Sequence, residues 1–322
     1  MEQAWRETKR RKRYAPALLA TEERIEEVLS DLLRDFLTDE WRPTKYYAFE
    51  VRTEVKRRLI HAPCVRDRIA QHAISRVIEP LFDKKFIYDL YSGRKGKGPL
   101  AAAKRVQRFL RQEDAAYALQ GDVRHYYPSI DHALLKHLLR GTIKDARLLT
   151  CLDRIIDSYE AEAGRGLPLG ALLSQLFANL YLSEFDHYLK ETLHVRRYAR
   201  LMDDFVIVAG SKEELRRLLD EIRWYLETQR KLTLNRKTQI YPARRGVDFA
   251  GYRIFRARLL PRKRNVKAAR RRFRRLSRAF RRGEICVEDT RPSVMSFLGY
   301  MRHAKAERTT RSTLRYLTLR KE

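Results

Sequence analysis

At 322 residues the chain can bury a large core in two or three subdomains, and 44% apolar residues, with aromatics spread throughout, exclude a disordered chain although 34% are charged. Lys and Arg number 70 against 41 Asp and Glu, a net charge of +29 that exceeds what solubility needs and points to a polyanionic partner, nucleic acid before a membrane surface. No apolar run reaches the ~18 residues of a membrane span; Met1 to Arg6 lacks the apolar stretch of a secretory signal, and Cys64, Cys151 and Cys286 are too scattered for a zinc site or a disulfide framework. The cytoplasm is therefore the expected location, with the cysteines assigned to packing.

In chain order, the basic run Lys9 to Arg13 precedes Thr21, Glu22 and Glu23, which read as a helix start with acids in the first turn. Ile25, Val28, Leu29, Leu32, Leu33 and Phe36 then repeat at helical spacing. Residues Tyr46 to Ile60 are mixed and extended, and Pro63 separates them from an amphipathic helix over Asp67 to Phe82. Ser92 to Pro99 is a glycine-rich basic loop whose amides and cations could hold phosphates, opening onto a helix with Arg105, Arg108 and Arg111.

A strand from Tyr117 runs into Asp122, and a helix begins near His132. Leu172 to Lys190 reads as one buried helix. Arg197 to Leu201 and the β-prone Phe205 to Val208 predict a hairpin turning at Met202-Asp203. An amphipathic helix over Glu213 to Glu227 and a short hairpin over Gly246 to Tyr252 follow. Between Arg262 and Arg282 most positions are Lys or Arg, yet Val266, Ala269, Phe273, Leu276 and Phe280 recur every three or four residues, which predicts an amphipathic basic helix.

The carboxylates suggest a chemistry. Nucleotide transfer needs two divalent ions about 3.5–4 Å apart, and magnesium demands hard oxygen ligands. Asp122 closing one strand and Asp203-Asp204 at a hairpin tip supply those ligands if the two strands are neighbours. An Asp-Asp pair at a turn is otherwise ordinary turn chemistry.

The surrounding residues decide between these readings. Asp122-Val123-Arg124-His125-Tyr126-Tyr127-Pro128-Ser129-Ile130-Asp131 resembles the first aspartate motif of reverse transcriptases, and Leu201-Met202-Asp203-Asp204 resembles their tyrosine-x-Asp-Asp motif. Between them, Gly166-Leu167-Pro168-Leu169-Gly170 through Ser174-Gln175 to Asn179 is similar to the fourth motif of diversity-generating retroelement enzymes. Lys56 to Ile60 with Arg66 to Ala73, the loop Gly93 to Gly98, Leu234 to Thr238 and Phe249 to Arg253 look like the remaining fingers and palm motifs, in the family's order.

The resemblance implies an α+β right-hand polymerase fold: an N-terminal basic helical segment over 1–40, fingers over 41–115, a palm with an antiparallel sheet over 116–254 that carries a helical insertion around 132–165, and a helical basic thumb over 255–322. It implies RNA-directed DNA synthesis from a retroelement template RNA, with Mg2+ or Mn2+ on Asp122 and Asp203 and with Asp204 adjusting the field. Lys56, Arg58 and Arg94 are then expected on the incoming triphosphate, Tyr127 under the sugar, Leu169 and Gln175 along the nascent base pair, and Lys237 as the acid for the leaving pyrophosphate. From its basic helix, Arg271, Arg274, Arg275 and Arg278 are expected on the backbone of the RNA/DNA hybrid.

Leu169 replaces a glutamine common in related enzymes, which implies loosened base-pair discrimination and error-prone copying. A small, basic, oligomeric accessory variability protein is the implied partner, and no membrane is. Leu201 at the usual tyrosine, Gly93 at a larger residue and Pro99-Leu100 at a Thr-His pair depart from the pattern. A retron-like or defence-associated reverse transcriptase, and an inactive RNA-binding scaffold that keeps the fold, remain the alternatives.

Overall fold

The computed structural model describes residues 1–10, 12, 14–52 and 57–320. Lys56 lies outside these described residues. Three N-terminal helices, α1 (Glu2–Lys9), α2 (Pro16–Glu22) and α3 (Ile25–Leu37), precede a ribbon of β1 (Tyr47–Arg52) and β2 (Arg57–Ala62). Thr21 and Glu22, expected to start a helix, instead finish α2, and Arg24 caps α3. Pro16 at the first position of α2 explains the earlier start, because its fixed φ is already helical and the N–H it lacks would have been unsatisfied there.

Next come α4 (Val65–Asp83) and α5 (Pro99–Leu110). The Cys64 thiol accepts from the Asp67 amide at the start of α4, and Pro99 opens α5 directly after the glycine loop. Then follow β3 (Tyr117–Asp122), the single turn α6 (Tyr126–Ser129), α7 (His132–Arg140) and α8 (Ala146–Asp157). Asp131 and Asp145 cap the last two through their side chains.

The segment expected as one helix from Leu172 to Lys190 is broken. It consists of α9 (Leu172–Tyr181), α10 (Ser183–His187) and a π-helical turn over Tyr188–Thr192, with Leu182 at φ −101°, ψ 6° between the first two. Apolar periodicity continues across the break, but the wide turn changes the helix phase. Between the break at Leu182 and the π-helical turn, Asp186 is fully buried against Arg200.

The remaining elements are β4 (Tyr198–Leu201), β5 (Asp204–Ala209), α11 (Lys212–Arg230), β6 (Gln239–Pro242), β7 (Val247–Phe249), β8 (Tyr252–Ile254), β9 (Leu259–Pro261), α12 (Lys263–Arg281), α13 (Val287–Met301) and α14 (Glu307–Leu314). The central antiparallel sheet has the order β4-β5-β3-β6. Its inner strand β5 buries Phe205, Val206, Ile207 and Val208, each contributing roughly 1.5–3 kcal/mol relative to exposure. Gly121 is required beside it: a Cβ there would lie 2.1 Å from the Phe205 ring.

A second sheet, β7-β8-β9, continues strand pairing to Pro261, past the expected palm boundary at 254. Helices α12 to α14 close around Phe273, Phe297 and Met301 as a separate small core. No helix among the described residues is long and apolar enough to cross a membrane.

Candidate active site

Asp122 and Asp204 are direct cross-strand partners on β3 and β5, so the pleat puts their side chains on one face of the sheet. Asp203 occupies the turn between β4 and β5, and its carbonyl accepts from the Val123 amide at 3.2 Å. The hairpin tip is thereby tied to the end of β3. The two strands are neighbours, as a shared metal site requires.

Electrostatics mark this cluster. Burial, then the Asp122 charge and a side-chain hydrogen bond with Asp122, push the Asp203 carboxyl up to about 6, while Arg58 pulls it down. Burial pushes Asp204 up to about 8, with Arg262 opposing and Asp122, Asp203 and Asp248 adding to the rise. Both feel the Asp122 charge, while Arg58 acts on Asp203, and Arg262 and Asp248 act on Asp204. Carboxylates crowded this way favour a cation.

The donor set suits magnesium. It consists of hard carboxylate oxygens, and Asp204 Oδ1 is buried with no hydrogen-bond partner. Among the described residues no three His, Cys, Asp or Glu side chains close a cage around one point. Magnesium characteristically takes one or two carboxylates and fills its other positions with water and substrate phosphate.

Asn235 was not anticipated. Its amide nitrogen donates to Asp122 Oδ2 at 2.9 Å and its backbone N–H to the Asp122 carbonyl at 2.7 Å, so it fixes one oxygen of that carboxylate. It lies within the motif quoted for Lys237, two residues away, and that proximity was the available signal. Lys237 is exposed, its own amide donating to Asn235 Oδ1 at 3.1 Å.

Other expected residues divide by location. Arg58 lies on β2 opposite Val51, and its charge reaches both Asp203 and Tyr127. Half-buried Tyr127 donates to Met202 Sδ at 3.7 Å, and burial, then Asp203, pushes its hydroxyl up to about 12. The Leu169 carbonyl accepts from the His61 amide at 2.8 Å, which joins the β1-β2 ribbon to the loop before α9. Gly170 makes that approach possible, since at φ 124° a Cβ would lie 2.6 Å from Ile60 Cγ2. Exposed Gln175 stands beside Gly93, its Oε1 3.9 Å from where a Cβ there would be.

Arg94 lies in the glycine loop that follows α4. Its guanidinium pairs with Asp83 Oδ1 at 2.5 Å, donates to the Asp83 and Ile87 carbonyls, and lies over the Phe86 ring. These contacts tie the glycine loop to the end of α4. On α12, Arg271, Arg274, Arg275 and Arg278 are exposed opposite the buried Val266, Ala269, Phe273 and Phe280. Arg274 leans over Tyr316 at 4.4 Å.

Comparison with known proteins accords with this geometry. Residues 52–254 match the family described as reverse transcriptase (RNA-dependent DNA polymerase). The chain is 30% identical over 245 residues to protein YkfC of Escherichia coli, covering 63% of this chain and 64% of YkfC. It is 22% identical over 303 residues to the group II intron-encoded protein LtrA of Lactococcus lactis, covering 73% of this chain and 50% of LtrA. It thus spans less than two thirds of either relative's length.

Among solved structures it is similar to apo telomerase from Candida tropicalis, with a TM-score of 0.53 at 13% identity, covering 92% of this chain and 68% of that one. Telomerase from Candida albicans, solved with a fragment of telomeric RNA, gives 0.51 at 12% identity, covering 94% and 60%. The fold is the right-hand polymerase fold. With a match across well over half of its length, the chain belongs to the reverse transcriptase (RNA-dependent DNA polymerase) family.

Proposed function

We propose that this protein extends a DNA primer along an RNA template by two-metal phosphoryl transfer. The observation that carries the reading is the placement of Asp122 against the Asp203-Asp204 hairpin, with a partnerless buried oxygen on Asp204. Magnesium bound by Asp122 and Asp203 would activate the primer 3′ hydroxyl and offset the triphosphate charge. The primer oxygen forms a bond to the α-phosphorus of the incoming deoxynucleotide, and the bond from that phosphorus to the leaving pyrophosphate breaks.

The chain's own residues orient these partners. Asn235 holds Asp122, Arg58 and Lys56 would grip the triphosphate, Tyr127 would pack under the sugar, and Lys237 would protonate the leaving pyrophosphate. The exposed arginines of α12 would follow the hybrid backbone. Asp203→Asn tests the reading on a primed RNA template. Extension should be abolished while RNA binding is retained, because the change removes one charge from a surface with a net +29. Extension near the wild-type rate would refute it.

The finer reading is an error-prone enzyme of a diversity-generating retroelement, working with a small basic accessory variability protein. Leu169 and the Ser174-Gln175 ending support it. The match with LtrA favours a second reading, service to a group II intron-like element. Two near-identical repeats in the neighbouring DNA, differing mainly at adenines, decide for the first, and a flanking intron RNA decides for the second.

A further inference from the structure

The turn that presents Asp203 is held in an uncommon conformation. Met202 sits at φ 64°, in the left-handed region, without being a glycine. Such a residue persists only where its surroundings over-determine it. Here both of its backbone polar groups are held by side chains, one from the preceding strand β4 and one from the distant 89–92 segment. The Met202 carbonyl accepts from Arg200 Nη1 at 2.9 Å, and its amide donates to Ser92 Oγ at 3.0 Å.

Those two side chains belong to one closed polar network. Arg200 is fully buried, its Nε donating to Asp186 Oδ1 at 2.7 Å and its Nη2 to Asp186 Oδ2 at 2.5 Å. Tyr198 supports the same carboxylate at 2.5 Å. Arg200 Nη2 also donates to the Asn179 carbonyl at 3.2 Å. Asn179 in turn accepts from the Ser92 hydroxyl at 2.7 Å and donates to the Ser92 carbonyl at 2.9 Å. Both backbone edges of Arg200 pair with the 89–91 segment, its amide with the Asp89 carbonyl and its carbonyl with the Tyr91 amide.

A buried ion pair is a poor way to gain stability, since well-packed apolar side chains often do as well. Its directionality is another matter. A guanidinium fork gripped on one edge by Asp186 can offer its remaining N–H groups only along fixed lines, and one of them meets the Met202 carbonyl. We infer that Arg200, Asp186, Asn179 and Ser92 form a positioning unit that fixes the Met202 turn and so sets the approach of the Asp203 carboxylate to Asp122. This rests on the reading of Asp203 as a metal ligand, and it adds residues that never touch substrate.

Ser92→Ala is the cleanest test, because it frees the Met202 amide without leaving a buried charge unpaired. Two quantities are measured on Ser92→Ala, Arg200→Lys and the unaltered protein: binding of Mn2+ by electron paramagnetic resonance, and primer extension as a function of Mg2+ with its deoxynucleotide KM. The expected result for Ser92→Ala is metal binding weakened about tenfold, the scale of the hydrogen bonds its hydroxyl makes with Met202 and Asn179, with kcat restored at high Mg2+, deoxynucleotide KM unchanged and melting temperature lowered only modestly.

Arg200→Lys keeps the charge but cannot serve Asp186 and Met202 together, and should shift the metal dependence further in the same direction. Unchanged Mn2+ affinity and unchanged Mg2+ dependence in Ser92→Ala would overturn the inference, whatever happens to melting. Asp203→Asn measured in parallel separates the two layers. If it still synthesises DNA, the metal-ligand reading itself fails. If it is inactive while Ser92→Ala matches the unaltered protein, only the positioning role fails.

Discussion

Asp203→Asn should make the metal-free protein more stable near neutral pH while removing its activity. The Asp203 carboxyl is pushed from an ordinary 3.8 up to about 6, by burial first and then by Asp122. A raised carboxyl pKa means that the folded state prefers the proton. The penalty is fully present above pH 6 and is relieved as pH falls toward 3.8. Roughly two pH units at about 1.4 kcal/mol each come to about 3 kcal/mol at pH 7.5.

Asparagine has no charge to bury, so the variant escapes this cost. For a chain of 322 residues, an unfolding entropy of about 2 cal/mol/K per residue converts 3 kcal/mol into a rise in Tm of ~4 °C. At pH 4.5 the advantage should shrink to about 1 kcal/mol, because the folded carboxyl is already protonated there. The assay is thermal unfolding of both proteins in EDTA across pH 4.5 to 7.5. A variant no more stable than the unaltered protein at pH 7.5, or a gain independent of pH, would refute the account of Asp203 as a crowded carboxylate. Adding Mg2+ should stabilise the unaltered protein more at pH 7.5 than at pH 4.5 and should narrow its gap to the variant.

Leu169→Gln should lower misincorporation, most visibly opposite template adenine, by about 3- to 10-fold, the scale of one net hydrogen bond. Sequencing complementary DNA made by both proteins on one template reads this, and equal error rates with activity retained would remove Leu169 as a fidelity determinant. Replacing Arg271, Arg274, Arg275 and Arg278 by glutamine should weaken binding of all duplex sequences alike and flatten the slope of log K against log salt by up to roughly 0.9 for each phosphate no longer neutralised. An unchanged slope in filter binding would show that this face of α12 meets something other than phosphate. Asn235→Ala should reduce extension at low Mg2+ and recover it at high Mg2+, since it releases one oxygen of Asp122 without removing a charge; a deficit that saturating Mg2+ leaves untouched would place Asn235 elsewhere in the reaction.

The sequence by itself determined what depends on near neighbours. The β-prone run from Phe205 to Val208 and the aspartates before it specified a hairpin, and the three-and-four spacing of Val266 to Phe280 specified a basic amphipathic helix, because turn geometry and helical periodicity act over a few residues. Motif order supplied the family, and with it the fold.

Only tertiary structure decided which side chains meet across long separations. Arg94 resembles a triphosphate ligand in sequence, and the pairing of its guanidinium with Asp83 and the Ile87 carbonyl was not legible there. The apolar pattern through Leu182 hid the break that points Asp186 inward. Arg200 and Ser92 looked like a strand residue and a loop residue, and only packing turns both toward the half-buried Met202, whose backbone groups they satisfy. Local pattern cannot encode such a meeting, because the energy that fixes it belongs to the pair and exists only once the chain has closed around it.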